Sequence, residues 1–98
     1  MFTPQAGVDI ESACRWYENR RQGLGEEFRS SLDIICQLLV KFPAAGPVAH
    51  REVRRILLPR FPYALYYRVV GDAIEVRACL HQYRGSAAVT GARKTGHA

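Results

Sequence analysis

The chain has 98 residues, 48% of them hydrophobic and 23% charged, which allows one globular domain and excludes a multidomain enzyme. No run of about 18 apolar residues occurs, and the opening Met1-Phe2-Thr3-Pro4-Gln5 lacks a basic and an apolar segment, so neither a membrane span nor a secretory signal is expected. Residues 1–50 carry five Lys/Arg against six Asp/Glu, and residues 51–98 carry nine against three, so the basic second half points to an anionic partner or to a plain solvated surface.

Thr3 and Pro4 suit the N-cap and first position of a helix over 4–21. Ala6, Ile10, Ala13 and Tyr17 make its apolar stripe. Asp9 and Glu11 toward its start, and Arg20 and Arg21 at its end, complement the helix dipole. Gly23-Leu24-Gly25 breaks the pattern and predicts a tight helix–helix turn pinned by one side chain. A second helix follows from Leu24 to Lys41, with Leu24, Phe28, Leu32, Ile35, Leu39 and Phe42 as its stripe. The short connection makes the two helices antiparallel neighbours.

Pro43 ends the second helix, and 44–51 reads as a loop. The period then changes from 3.6 to 2. Val53, Ile56 and Leu58 belong to a strand ending at Pro59, Tyr63 to Val70 is a second, and Gly71-Asp72 is a hairpin turn. Ala73 to His81 returns, with Ile74, Val76, Ala78 and Leu80 expected on one face and Glu75, Arg77, Cys79 and His81 on the other. The tail from Gly85 to Ala98 has no periodicity and is expected to be flexible. The order predicts an α+β fold: an antiparallel helical hairpin packed on a three- to four-stranded antiparallel sheet. The domain is expected over 1–84, with 85–98 as a tail.

Cys14, Cys36 and Cys79 are odd in number and widely spaced, so reduced thiols in a cytoplasmic protein are expected. His50, His81 and His97 share no ligand spacing, so neither metal nor organic cofactor is expected. Arg54, Arg55, Arg60, Arg68 and Arg77 lie on or beside the strands. If Ile56 and Leu58 face the core, Arg54 is on the core side and Arg55 faces away. A basic sheet face follows, usable for nucleic acid or for an acidic protein segment. Trp16 is expected to pack in the core or in the helical hairpin, and an exposed Trp16 would mark a partner anchor instead. Tyr63, Tyr66 and Tyr67 read as strand and core residues.

Four segments in this order resemble the RelE/ParE toxin superfamily, and within it the ParE-like branch. They are Asp9-Ile10-Glu11-Ser12-Ala13 with Trp16-Tyr17-Glu18, then Gly23-Leu24-Gly25-Glu26-Glu27-Phe28. Next come Arg54-Arg55-Ile56-Leu57, Arg60-Phe61-Pro62-Tyr63 and Tyr66-Tyr67-Arg68-Val69, and last Ala78-Cys79-Leu80-His81-Gln82-Tyr83-Arg84. The resemblance covers about residues 3–84. It implies the toxin of a bacterial type II toxin–antitoxin pair, silenced by a cognate antitoxin in a hetero-oligomer. ParE-like members poison DNA gyrase, and RelE-like members cut messenger RNA in the ribosome. A non-toxic relic that only binds its antitoxin is a third reading. In the nuclease reading His81 is the base or acid, Arg84 the phosphate clamp and Tyr83 a stacking or positioning group. The scarcity of lysine, with Lys41 and Lys94 alone, matches that reading poorly. The family also opens with a full strand. Only Met1-Phe2-Thr3 stands in its place, so the strand is stunted or the start truncated, and a sheet edge left bare there can accept an antitoxin strand.

Overall fold

A computed structural model describes residues 1–83, so Arg84 and the expected tail 85–98 lie outside the described residues. Helix α1 spans Pro4–Arg20 and α2 spans Leu24–Lys41. Strands β1 (Val48–His50), β2 (Val53–Leu57), β3 (Tyr63–Val70) and β4 (Ala73–His81) form one antiparallel sheet in the order β1-β2-β3-β4. The helical hairpin covers one face of this sheet.

Thr3 caps α1 as expected, its hydroxyl accepting from the Ala6 amide. The turn to α2 has a support that the sequence expectation did not include. Gly23 takes the left-handed conformation at φ 90°, and α2 begins at Leu24 as expected, with Leu24 packed against the core. Glu18 also fixes the turn, its two carboxylate oxygens accepting from the amides of Gly23 and Gly25, each at 2.9 Å. Gly25 has no room for a side chain: a Cβ there would stand 2.9 Å from the Cys14 carbonyl. The two helices can approach this closely only because Gly25 is bare.

The core joins Ile10, Cys14, Phe28, Leu32, Ile35 and Leu39 from the helices to Leu65, Tyr67, Val76 and Cys79 from the sheet. Phe28 is fully buried, which contributes roughly 2–3 kcal/mol of transfer free energy. Phe42 departs from the predicted stripe and is exposed, because it is the C-cap at φ −131°, ψ 75° and its side chain leaves the helical line. Tyr66 and Tyr67 are both buried, as expected of core residues. The Tyr67 hydroxyl donates to the Pro43 carbonyl at 2.7 Å and accepts from the Gly46 amide at 3.0 Å, which ties the chain after α2 to the sheet.

Three features depart from the sequence reading. Part of the expected 44–51 loop is the short edge strand β1, paired with β2 across an Arg51-Glu52 turn in which Arg51 has φ 53°. Second, the opening segment forms a single parallel bridge, Phe2 with Val76, on the outer edge of β4. Third, β4 carries a bulge. Tyr66 pairs with Ala78 and Tyr67 with Val76, so Arg77 has no partner across the ladder. The extra residue reverses the alternation. Ile74, Val76, Cys79 and His81 share the helix-covered face, whereas Ala78 and Leu80 join Ala64, Tyr66 and Val53 on the other. Cys79 is therefore a core residue at 1% exposure, and Arg77 does not share its face with Cys79 and His81.

Candidate functional site

The sheet arginines do not form one open basic field. Arg54 lies on the helix side, opposite Tyr67, and donates to the carbonyls of Gly46 at 2.8 Å and Ala44 at 3.4 Å. Arg55 is on the far face, where its Nε donates to the Tyr66 hydroxyl at 3.0 Å and its terminal nitrogen to the Gln82 carbonyl at 3.5 Å. Arg68 pairs with Glu75 at 2.8 Å and with Glu52 at 3.8 Å, and Arg77 reaches the same Glu75 at 3.6 Å. The Arg68 hydrogen bond holds the Glu75 carboxyl below its usual range. Arg60 stands apart, at φ 70° in the connection from β2 to β3, and pairs with Glu27 on α2 at 3.1 Å. Of the five, only Arg68 and Arg77 are brought together, and the carboxylate between them offsets their charge.

His81 closes β4 beside Tyr63, with ring centroids 5.6 Å apart, and Tyr83 follows at 5.6 Å from His81. The Tyr83 amide donates to His81 Nδ1 at 3.4 Å, and the Tyr83 ring is 81% exposed. Arg84, the third member of the predicted trio, lies outside the described residues.

Trp16 contradicts the expected packing role, because it is 50% exposed. The buried line of α1 runs through Ala6, Ile10, Ala13, Cys14 and Tyr17, and Trp16 falls on its flank. Its ring meets Tyr17 edge-on at 5.0 Å and carries the Arg20 guanidinium 4.3 Å from its centroid. Trp16 forms one wall of a groove of about 550 Å³ between α1 and the end of β4. Asp9 and Ser12 extend that wall, and Tyr63, Leu80 and His81 line the groove from the sheet.

Asp9 was expected to serve the α1 dipole. Instead its Oδ1 accepts from the Gln5 side chain at 2.8 Å and its Oδ2 from the Cys79 backbone amide at 3.0 Å. Asp9, Ser12 and Arg20 were not singled out as site residues by sequence. The available signal was the i, i+4, i+8 spacing of Ser12, Trp16 and Arg20, a second line beside the apolar stripe. Burial, with Asp9 nearby, pushes the Cys79 thiol up to about 12, so it stays protonated on the groove floor and is not a nucleophile. Among the described residues no three His, Cys, Asp or Glu side chains converge to hold a metal ion, and no helix is long and apolar enough to cross a membrane.

Residues 1–84 match the family described as "ParE toxin of type II toxin-antitoxin system, parDE". The chain belongs to the ParE toxin family. A solved structure, the chromosomal ParDE toxin–antitoxin system from P. aeruginosa, is similar in fold. It has a TM-score of 0.62 and 22% identity, over 82% of this chain and 90% of that one. No curated protein sequence matches the chain significantly. The ParE-like α+β fold expected from the sequence is thus the one observed.

Proposed function

We propose that this ParE-family toxin acts by binding its target, DNA gyrase or a similar protein machine, and is neutralised by an antitoxin encoded beside it. Family membership carries the toxin–antitoxin part of this reading. The observation supporting binding over RNA cleavage is the engagement of the sheet arginines among the described residues, with Arg84, the clamp of the nuclease reading, lying outside them. Cleavage by 2′-hydroxyl attack requires a cation free to meet the pentavalent phosphorane, beside a base and an acid. Arg54 and Arg55 are spent on carbonyls and a phenol, and Arg60, Arg68 and Arg77 on carboxylates. Such a surface suits recognition of a partner by shape and by its own charge pattern.

The test is induction of this chain alone in a bacterial host, with pulse labelling of DNA and protein synthesis. Early loss of DNA synthesis, reversed by co-expression of the neighbouring gene product, is the expected result. Early loss of protein synthesis that His81→Ala abolishes would replace this reading with ribosomal mRNA cleavage. Undisturbed growth would leave a relic that only binds its antitoxin.

A further inference from the structure

The outer edge of β4 is closed over its first part by the chain itself. The Val76 amide donates to the Met1 carbonyl at 2.8 Å, and the Thr3 amide to the Val76 carbonyl at 3.0 Å. The Cys79 amide donates to the Asp9 carboxylate at 3.0 Å, so it points away from β3. The Gln82 amide points the other way, to the Pro62 carbonyl. By strand alternation the Cys79 carbonyl and the His81 amide point out of the open edge, on either side of Leu80. Neither group has a partner among the described residues. Both residues line the groove of about 550 Å³ beside α1, a size within the range of about 300–1,000 Å³ of small-molecule sites.

We propose that this groove binds a free adenine mononucleotide, with the base on the strand edge and the phosphate at Arg20. An open acceptor beside an open donor selects a ligand that offers a donor beside an acceptor. Adenine carries that pair in one plane. Its N6 amino group donates to the Cys79 carbonyl, and a neighbouring ring nitrogen accepts from the His81 amide. Guanine has O6 where adenine has the amino group, which sets acceptor against acceptor at Cys79. A base paired in this way continues the plane of the sheet, so one of its faces turns toward α1. There Trp16, half exposed, gives an aromatic surface for stacking. Cytosine carries the same donor and acceptor on a smaller ring and covers less of that surface. Charge places the phosphate. Arg21 holds Glu27, whereas Arg20 rests on the Trp16 ring without a carboxylate among the described residues. One such guanidinium suits a single phosphate group. Asp9, the acid within the groove, is engaged by Gln5 and Cys79 and stands about three turns along α1 from Arg20, so it does not oppose the phosphate there.

The test titrates the purified full chain by calorimetry with adenosine monophosphate and with the guanosine and cytidine monophosphates. Purine riboside monophosphate, which lacks the amino group, and adenosine, which lacks the phosphate, complete the series. Adenosine monophosphate is expected to bind one to one, and the guanosine, cytidine and purine riboside compounds at least tenfold more weakly. Trp16→Ala is expected to weaken adenosine monophosphate and adenosine alike, whereas Arg20→Ala weakens only the phosphorylated ligand. Both positions are exposed, so the thermal unfolding of either variant stays near that of the wild type. Val48→Lys, on the opposite sheet edge, is expected to bind like the wild type. In the complex the His81 amide is expected to exchange hydrogen at least tenfold more slowly. No binding of adenosine monophosphate at millimolar concentration, equal binding of the guanosine compound, or an unchanged His81 exchange rate would overturn the assignment. Undiminished binding by Trp16→Ala, or its loss in Val48→Lys, would place the ligand elsewhere and overturn it likewise. Tighter binding by a single-stranded oligoadenylate than by the mononucleotide would make the ligand a nucleic acid and overturn the free-nucleotide reading.

Discussion

Tyr67 shows how much of this fold hangs on single polar atoms. Its ring is wholly buried among the helices, and its hydroxyl is the partner of both the Pro43 carbonyl and the Gly46 amide. Tyr67→Phe keeps the ring and leaves both backbone groups without that partner. It is expected to cost about 1–3 kcal/mol, read as a lower midpoint in urea unfolding with an unchanged slope. The same residue illustrates what a sequence discloses. Its aromatic, strand-forming character is plain beside Tyr66, but the role of its hydroxyl depends on a loop 24 positions earlier. Trp16 is the opposite case. Its size suggested burial, yet the stripe of α1 passes beside it, and only the packed hairpin leaves it 50% exposed.

At the level of elements, the turn between the helices depends on Glu18 as much as on its glycines. The amides of Gly23 and Gly25 hold the Glu18 carboxyl below its ordinary value of 4.5. A carboxyl depressed in the folded state stabilises fully above its unfolded value, and that contribution is lost as pH falls through the folded value. Thermal unfolding between pH 7 and pH 3 is therefore expected to show a falling midpoint. Glu18→Ala should lower the midpoint at pH 7 and reduce its further fall in acid. Glu75, depressed by Arg68, adds a decline of the same sign in both proteins, so the difference between them isolates Glu18. Helices α1 and α2 were legible because each carries a long 3.6-residue stripe. Strand β1 was not, since three residues after Pro47 carry no period of their own and are strand only by pairing with β2.

Across the whole molecule, the bulge at Arg77 decides which side of the sheet each later residue of β4 faces. A strict period of two over Ala73–His81 put Ala78 and Leu80 toward the helices. The extra residue instead buries Cys79 and turns His81 toward the groove. Deleting Arg77 removes the unpaired residue and leaves every other cross-strand partner in register. The deletion is expected to fold with wild-type secondary structure by circular dichroism and to unfold in one cooperative transition. Inserting an alanine between Cys79 and Leu80 would drive the end of the strand to the wrong face and should abolish that transition.

The sequence by itself determined the two helices, the β3–β4 hairpin and the α+β class, because each rests on periodicity or on turn residues close together in the chain, and its resemblance to ParE toxins rests on four motif segments taken in order along it. Only the tertiary structure decided the groove and the fate of the charges. Asp9 meets Cys79 across 70 positions, and Arg60 meets Glu27 across 33. Such pairings depend on where a bulge shifts a strand and how closely a bare Gly25 lets two helices approach, and neither distance is written in local pattern.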